Sequence, residues 1–118
     1  MTLGQVIGCL LVAVALAAGQ ILFKVAAMAM PKIHGFRDIA TAAQLPVLWL
    51  AFLVYGLATL FWIYMLQSVP LSRAYLFAAL AFLIVPVCGI LFFGERASLG
   101  LLIGGVLILA GLLVIAQS

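Results

Sequence analysis

Long apolar runs divide the chain, and short polar segments separate them. The runs predict helices over residues 3–29, 46–67, 72–93 and 98–116. About 20 apolar residues in a helix cross a hydrocarbon core of about 30 Å, and each run has about this length. The runs lack the alternation of a barrel strand, and backbone groups in lipid must be satisfied within their own helix. The pattern therefore predicts an all-α membrane protein with a single four-helix transmembrane domain.

The connections between the runs set the predicted topology. The first, at residues 31–45, is long and polar, and Asp38 within it is expected to cap a short interfacial helix that ends at Leu45. The second and third, at 68–72 and 94–98, are so short that the helices on either side must be antiparallel neighbours. We therefore expect an up-down-up-down bundle.

Composition and charge agree with this fold class. The chain is 70% hydrophobic and 6% charged, whereas soluble domains have about 25% charged residues, so a water-soluble fold is excluded. The net charge of +3 does not indicate a nucleic-acid partner, because the basic residues lie at or between helix ends, where they act as topology signals. The first and third connections share one side, which carries Lys24, Lys32, Arg37 and Arg96, against Arg73 alone on the other. By the positive-inside rule we expect both termini to face the periplasm.

The first run differs from a cleaved signal peptide. It lacks a basic segment before its apolar part, and that part exceeds the usual length of about 7–15 residues. We therefore expect it to be retained as the first transmembrane helix.

Polar residues near the end of the first helix share one face. Leu16, Gln20 and Lys24 are spaced at i, i+4 and i+8, which makes a stripe that is neutral, then polar, then positive. Facing the bundle interior, this stripe suits an anionic head group such as a phosphate. Alternatively, Lys24 extends to the membrane interface and Gln20 bonds a neighbouring helix.

Acidic residues are absent from the predicted spans. The two carboxylates, Asp38 and Glu95, fall in connections, so no span holds a group able to exchange a proton for a cation. Ionisable groups inside a membrane are costly and usually functional, so their absence disfavours a proton-coupled cation exporter. We expect the interior to offer its cargo positive and neutral polar groups and nothing negative.

Further candidate binding residues lie in the second helix, the third helix and the last connection. Arg73 offers a planar donor fork for a phosphate and Tyr75 an amphipathic ring at head-group level, although both also suit ordinary interfacial anchoring. Trp62 and Tyr64 either line a cavity or belong to an aromatic belt. Glu95 either contacts the cargo or simply solvates its tight connection.

Small residues and one proline mark two further features. Gly100, Gly104 and Gly111 in the fourth helix allow close backbone approach and predict a dimer interface, with packing inside the chain as the alternative. Pro86 and Gly89 lie within the third helix, where a bend is either a hinge for alternating access or a static kink. The sequence shows no catalytic triad, phosphate loop or cluster of metal ligands, so we expect no enzyme activity, cofactor or bound metal.

Four short motifs occur in order along nearly the whole chain. They are Gly19-Gln20-Ile21-Leu22-Phe23-Lys24, Val69-Pro70 followed by Ala74-Tyr75, Phe93-Gly94-Glu95-Arg96, and the pair Gly104 and Gly111. In this order they resemble the small multidrug resistance family of the drug/metabolite transporter superfamily. Drug-exporting members have a glutamate at the position of Leu16, so this chain lacks the residue on which their proton exchange depends. It is more similar to the branch with the two subunits of the aminoarabinose-phosphoundecaprenol flippase, through Ala18-Gly19-Gln20 with Lys24 and Leu66-Gln67-Ser68-Val69-Pro70 before Ala74-Tyr75.

The resemblance implies a flippase, or a flippase subunit, that moves an undecaprenyl-phosphate-linked sugar across the bacterial inner membrane. Lys24 and Arg73 would hold the phosphate, Gln20 and Tyr75 would contact sugar or phosphate oxygens, and the polyprenyl tail would stay among the membrane lipids. The protein would act as a homodimer, or as a heterodimer with a similar four-helix subunit. The alternatives are an exporter of small drugs or metabolites with the same fold, and a non-transporting subunit of a membrane glycosyltransferase complex.

Overall fold

The computed structural model describes residues 2–117, and every regular element in this range is a helix. The helices are α1 (Leu3–Ala29), α2 (Phe36–Ala42), α3 (Pro46–Leu66), α4 (Leu71–Ala78), α5 (Ala81–Phe93) and α6 (Leu99–Gln117). Three apolar stretches are long enough to cross a membrane, namely α1, α3 and the combined stretch Leu71–Phe93, and a shorter apolar helical stretch covers Leu99–Gly111. The prediction of an all-α membrane protein is confirmed.

Local side-chain chemistry fixes the start of α1. The Thr2 hydroxyl accepts a hydrogen bond from the Gln5 backbone N–H at 3.2 Å, and the Gln5 side-chain oxygen accepts one from the Thr2 N–H at 3.0 Å. This reciprocal pair is a capping box, which satisfies backbone donors that a helix start leaves without partners. The Gln5 amide also donates to the Ser68 carbonyl at 3.4 Å, so the start of α1 lies beside the connection that leads into α4.

The short helix in the first connection differs from the sequence expectation. It begins at Phe36, before Asp38, and it ends at Ala42 instead of Leu45. Asp38 lies in its first turn, where its carboxylate accepts a hydrogen bond from the His34 N–H at 2.9 Å. Leu45 is extended because it precedes Pro46, and the residue before a proline is sterically disfavoured in the helical region.

Small residues let α1 and α3 pack closely as antiparallel neighbours. The buried positions of α1 are mostly glycine and alanine, with Cys9 and Val12 as the larger members: Gly8, Cys9, Val12, Ala13, Ala17, Gly19 and Ala26. A Cβ atom built on Gly19 would lie 2.9 Å from a ring carbon of Tyr55, and one on Gly8 would lie 2.7 Å from the Met65 sulfur. Such residues allow helix backbones to approach within a membrane. The contact fixes which sides of α1 remain for other elements, and α4 and α5 pack there.

The third apolar stretch is interrupted, and the interruption is not at its proline. Between α4 and α5, Ala79 and Leu80 have ψ angles of −16° and −27°. Hydrogen bonds there span three residues, from the Leu80 N–H to the Phe77 carbonyl at 3.0 Å and from the Phe82 N–H to the Ala79 carbonyl at 2.9 Å. This is one turn of 3₁₀ geometry, which often marks a hinge when it occurs within a long helix. Pro86 lies inside α5 without ending it.

The glycines of α6 do not pack closely against the other described helices. Cβ atoms built on Gly104 and Gly111 would meet nothing within 4 Å, and one on Gly100 would only touch the Ser98 hydroxyl at 3.9 Å. Large apolar side chains along the helix are exposed, among them Leu102, Ile103, Val106 and Leu107. Within the described residues, the α6 glycines are therefore not used for close packing against another helix.

Replacing Gly19 by valine should destabilise the protein by about 1–3 kcal/mol, the usual cost of overpacking. The added side chain would press on the Tyr55 ring and separate α1 from α3. The matched control is Gly56→Val in α3, because a Cβ on Gly56 meets nothing within 4 Å. Thermal unfolding in detergent micelles checks this, and an equal loss in both variants would contradict the proposed contact.

Candidate functional site

Two adjoining cavities lie beside α1, one against α5 and the connection that follows it, and the other against α3 and the α4–α5 stretch. The first, here called the charged cavity, has a volume of about 550 Å³, and its polar lining consists of Gln20, Lys24, Glu95 and Arg96. The second, the aromatic cavity, has a volume of about 710 Å³ and is lined by Gln20, Tyr55, Thr59, Trp62 and Tyr75 among others. Gln20, Val85 and Pro86 border both cavities. The two cavities therefore meet at Gln20 and Pro86.

A charge pair lies at the wall of the charged cavity. The Lys24 ammonium nitrogen is 3.6 Å from a Glu95 carboxylate oxygen, and the two side chains are 48% and 51% exposed. The two groups form an ion pair, but the distance between nitrogen and oxygen is longer than that of a hydrogen bond between charged groups. Half-exposed pairs of this kind add little to stability. The pair matters for another reason. It connects α1 to the segment after α5, and both of its charges lie beside the cavity.

The end of α5 explains how Glu95 reaches Lys24. Gly94 has a φ of +65°, the left-handed conformation that glycine adopts at helix ends. The Glu95 N–H donates to the Gly89 carbonyl at 3.3 Å, so the chain folds back on the last turn of α5. The Glu95 carboxylate then lies on the bare backbone of Gly89, where a Cβ atom would come within 2.7 Å of its oxygen.

The position of Glu95 corrects one sequence expectation. The interior was expected to offer nothing negative, yet Glu95 lines the same cavity as Lys24. The expectation was wrong because it assigned Glu95 to a connection, and the fold-back at Gly94 brings this connection against the helices. No pattern in the sequence pairs residue 95 with residue 24, since this contact depends on how α1 and α5 pack.

The structure places the other predicted site residues in different surroundings. Trp62 and Tyr75 line the aromatic cavity, with ring centroids 6.5 Å apart in an edge-to-face arrangement. Tyr64 is exposed, stacks on Phe61 with centroids 6.1 Å apart, and lines neither cavity. Arg73 is also exposed and lines neither cavity. Arg96 lines the charged cavity, although sequence reasoning did not select it as a site residue.

Lys24 and Arg73 lie at opposite ends of the bundle. The hydrogen bond from Gln5 to Ser68 places the start of α1 beside the connection that precedes Arg73. A rise of about 1.5 Å per residue places Lys24 about 28 Å from Gln5 along α1. One phosphate therefore cannot bind both cations at once, so the hypothesis that they hold the same phosphate together does not fit this geometry.

The aromatic cavity combines ring faces with few free polar groups. The Thr59 hydroxyl donates to the Tyr55 carbonyl one turn earlier at 2.8 Å, so its donor is used within α3. The Phe23 ring packs against Tyr55 with centroids 5.6 Å apart and fixes the orientation of that ring. Together the two cavities offer charges at one end and aromatic surface at the other, which suits a ligand with a charged group and an uncharged one.

Comparisons with known proteins identify the family and the relatives to which the chain is similar. A model of the EamA-like transporter family matches residues 1–117. A relative from Yersinia pestis (strain Pestoides F), a probable 4-amino-4-deoxy-L-arabinose-phosphoundecaprenol flippase subunit ArnE, is 37% identical over 79 residues, which cover 65% of this chain and 69% of the relative. The probable ArnF subunit of the same kind of flippase from Erwinia tasmaniensis is 35% identical over 109 residues, 86% of each chain. No solved structure matches. These relatives are named as flippase subunits and not as enzymes, and they confirm the resemblance found in the motifs.

A cysteine at position 59 should react with a hydrophilic thiol reagent at least about ten times faster than one at position 60. Thr59 lines the aromatic cavity, whereas Leu60 is exposed on the outside of α3, where lipid would surround it. The reactive thiolate forms only where water has access. The measurement is the labelling rate of Thr59→Cys and Leu60→Cys in membranes, with Cys9 and Cys88 replaced by alanine. Equally slow rates would show a dry interior and contradict a transport cavity.

Proposed function

Because this chain belongs to the EamA-like transporter family, we propose that it is a flippase, or one subunit of a flippase, for an undecaprenyl-phosphate-linked sugar. It is a multi-pass protein of the bacterial inner membrane. Two relatives carry names that describe flippase subunits for such a lipid. The observation that carries the proposal for this chain is the Lys24 ammonium at the wall of a cavity of about 550 Å³, which can receive a phosphate.

Lys24 is the proposed phosphate-binding residue. A charged ammonium within a membrane-spanning helix is costly unless it has a partner, so such groups usually mark the path of a substrate. Its stem can extend along the apolar wall of the cavity while its charge meets the phosphate oxygens. Gln20, one turn earlier on α1, borders both cavities and would contact the next oxygens along the head group.

The aromatic cavity is the proposed site for the sugar. Trp62, Tyr55 and Tyr75 present ring surfaces for the apolar face of a sugar ring, and tyrosine hydroxyls can bond its oxygens. Glu95 would accept hydrogen bonds from polar groups of the head group. The sugar named for the relatives carries an amino group, which a carboxylate suits. The polyprenyl tail would remain among the membrane lipids.

Transport would follow from rocking of the helices around the bound head group, as in other transporters with central sites. Lys24 and Arg73 would meet the phosphate one after the other, because they lie at opposite ends of the bundle. The third stretch has two candidate hinge regions, the 3₁₀ turn at Ala79 and Leu80, and the segment with Pro86 and Gly89.

The proposed assembly is a dimer of two similar four-helix domains. In each, α1, α3, the α4–α5 stretch and α6 would cross the membrane up, down, up, down. Within the described residues, a Cβ atom added to Gly104 or Gly111 of α6 would meet nothing within 4 Å, which leaves these positions available to a second α6. The second subunit would be either another copy or a related chain.

A second candidate function is export of a small cation, and Glu95 is the observation in its favour. Glu95 is a carboxylate at a cavity wall, which an exporter needs for exchange with protons. Its pairing with Lys24 favours the flippase, because a cation would have to displace the lysine. Proton release from purified protein after addition of a quaternary ammonium ion would favour the exporter.

Replacing Lys24 by glutamine should lower transport of an undecaprenyl-phosphate-linked aminosugar by about 10- to 100-fold, the loss expected for one hydrogen bond to a charged group. Lys32→Gln is the matched control, since Lys32 lies outside both cavities. The measurement is the fraction of labelled lipid in proteoliposomes that becomes accessible to an impermeant oxidant, with the chain alone and with a related subunit. Wild-type protein that leaves the lipid on its original leaflet in both cases would contradict the function.

Replacing Trp62 by alanine should lower transport of the same lipid by about 2- to 10-fold, because one aromatic contact with the sugar is lost. Binding of undecaprenyl phosphate, which has no sugar, should change little. Phe61→Ala is the control, since Phe61 is the adjacent aromatic residue and lines neither cavity. The affinities of the variant for the sugar-linked lipid and for undecaprenyl phosphate can be compared in nanodiscs. An equal effect of Trp62→Ala on both lipids would place the sugar elsewhere.

A further inference from the structure

We propose that Glu95 is a resident counter-ion of Lys24, held in place because residue 89 is glycine, and that an anionic head group binds Lys24 by displacing it. The inference rests on the proposed function and adds how the phosphate site is occupied when no cargo is bound. It assigns a positioning role to Gly89, which has no side chain to contact a ligand.

The Glu95 carboxylate lies against the backbone of Gly89, where a side chain would otherwise be. One Glu95 oxygen lies where a Cβ on residue 89 would come within 2.7 Å of it, and the carboxyl carbon would be 3.3 Å away. The other oxygen is 3.6 Å from the Lys24 nitrogen. Glu95 therefore spans the space between the α5 backbone and Lys24, and any side chain at position 89 would remove the carboxylate from this place.

The Glu95 side chain can leave Lys24 without disrupting the fold. Its side chain is 51% exposed, and its carboxylate meets α5 only at the end of a flexible stem. Gly94 holds the backbone turn, so the turn does not depend on the position of the carboxylate. Arg96 lines the same cavity and offers a second positive partner to a displaced carboxylate.

A phosphate and the Glu95 carboxylate compete for Lys24. Lys24 has one ammonium group, and a phosphate that binds it with direct contacts must take the place beside the nitrogen that Glu95 now occupies. Because a carboxylate and a phosphate are both oxygen anions, Glu95 imitates the charge of the cargo. The pair would keep the lysine neutralised on the apolar path until a phosphate arrives, which agrees with the high cost of an unpaired charge in a membrane.

The test uses the full chain in nanodiscs and undecaprenyl phosphate as the probe, which carries no sugar that Glu95 could bind. Gly89→Ala and Glu95→Gln should each raise the affinity for the probe about two- to fivefold, the range for a half-exposed ion pair. Adding Gly89→Ala to Glu95→Gln should not raise the affinity for the probe further, because Gly89 acts only through the Glu95 carboxylate. Gly56→Ala is the matched control, since that site is open.

A second readout needs no ligand. The chain has two lysines, so modification of Lys24 by an amine reagent can be measured relative to Lys32 by mass spectrometry. The ratio should rise in Gly89→Ala and Glu95→Gln, because the amine no longer has a carboxylate paired with it, and stay unchanged in Gly56→Ala. A merely structural role of Gly89 would lower the affinity instead of raising it.

The outcomes separate this inference from the proposed function. If Lys24→Gln abolishes binding of the probe but Gly89→Ala and Glu95→Gln leave it unchanged, the counter-ion role is overturned and the phosphate site stands. If Lys24→Gln binds the probe as well as wild type, the phosphate site and displacement both fail. An unchanged labelling ratio in Gly89→Ala would contradict the role of Gly89 in positioning the Glu95 carboxylate, whatever affinities are measured.

Discussion

Close packing of α1 against α3 determines where the polar groups of α1, Gln20 and Lys24, lie in the site. Gly19 faces α3 so tightly that the Tyr55 ring occupies the space of a side chain. Each residue turns a helix by about 100°, so Gln20, the next residue, points away from that contact. Gln20 therefore meets α5 at Pro86, where both cavities have their common border, and Lys24 follows one turn later at the charged end.

The charges of the site depend on one another. Lys24 lies within a long apolar helix, where an ammonium without a partner is costly. Its partner comes from outside the spans, through a helix end that only a left-handed residue at position 94 and a bare backbone at position 89 allow. The result is a cavity with a cation, a carboxylate and a neighbouring aromatic surface, which fits a lipid head group with a phosphate and a sugar better than it fits a simple cation.

Sequence reasoning succeeded where the structure follows local rules. Apolar length marks where α1 and α3 begin and end, and helical spacing places Gln20 and Lys24 on one face, which lines the charged cavity. It failed for Glu95, because the pair with Lys24 depends on the packing of α1 and α5. It also gave no sign of the interruption at Ala79 and Leu80, since neither residue is a glycine or proline, and it could not separate Trp62 from Tyr64, because which face of α3 meets the cavity depends on the neighbouring helices.

Direct binding of a phosphate to Lys24 is tested most directly by a measurement of the distance between them. Nuclear magnetic resonance of ¹⁵N-lysine protein in a phosphorus-free glycolipid bilayer can detect the dipolar coupling between the Lys24 nitrogen and the phosphorus of bound undecaprenyl phosphate, with Lys32 replaced by arginine. Direct contact predicts a separation of about 4 Å, as charged nitrogen and phosphate oxygens lie about 2.8 Å apart. Bound lipid without detectable coupling to Lys24 would contradict the account.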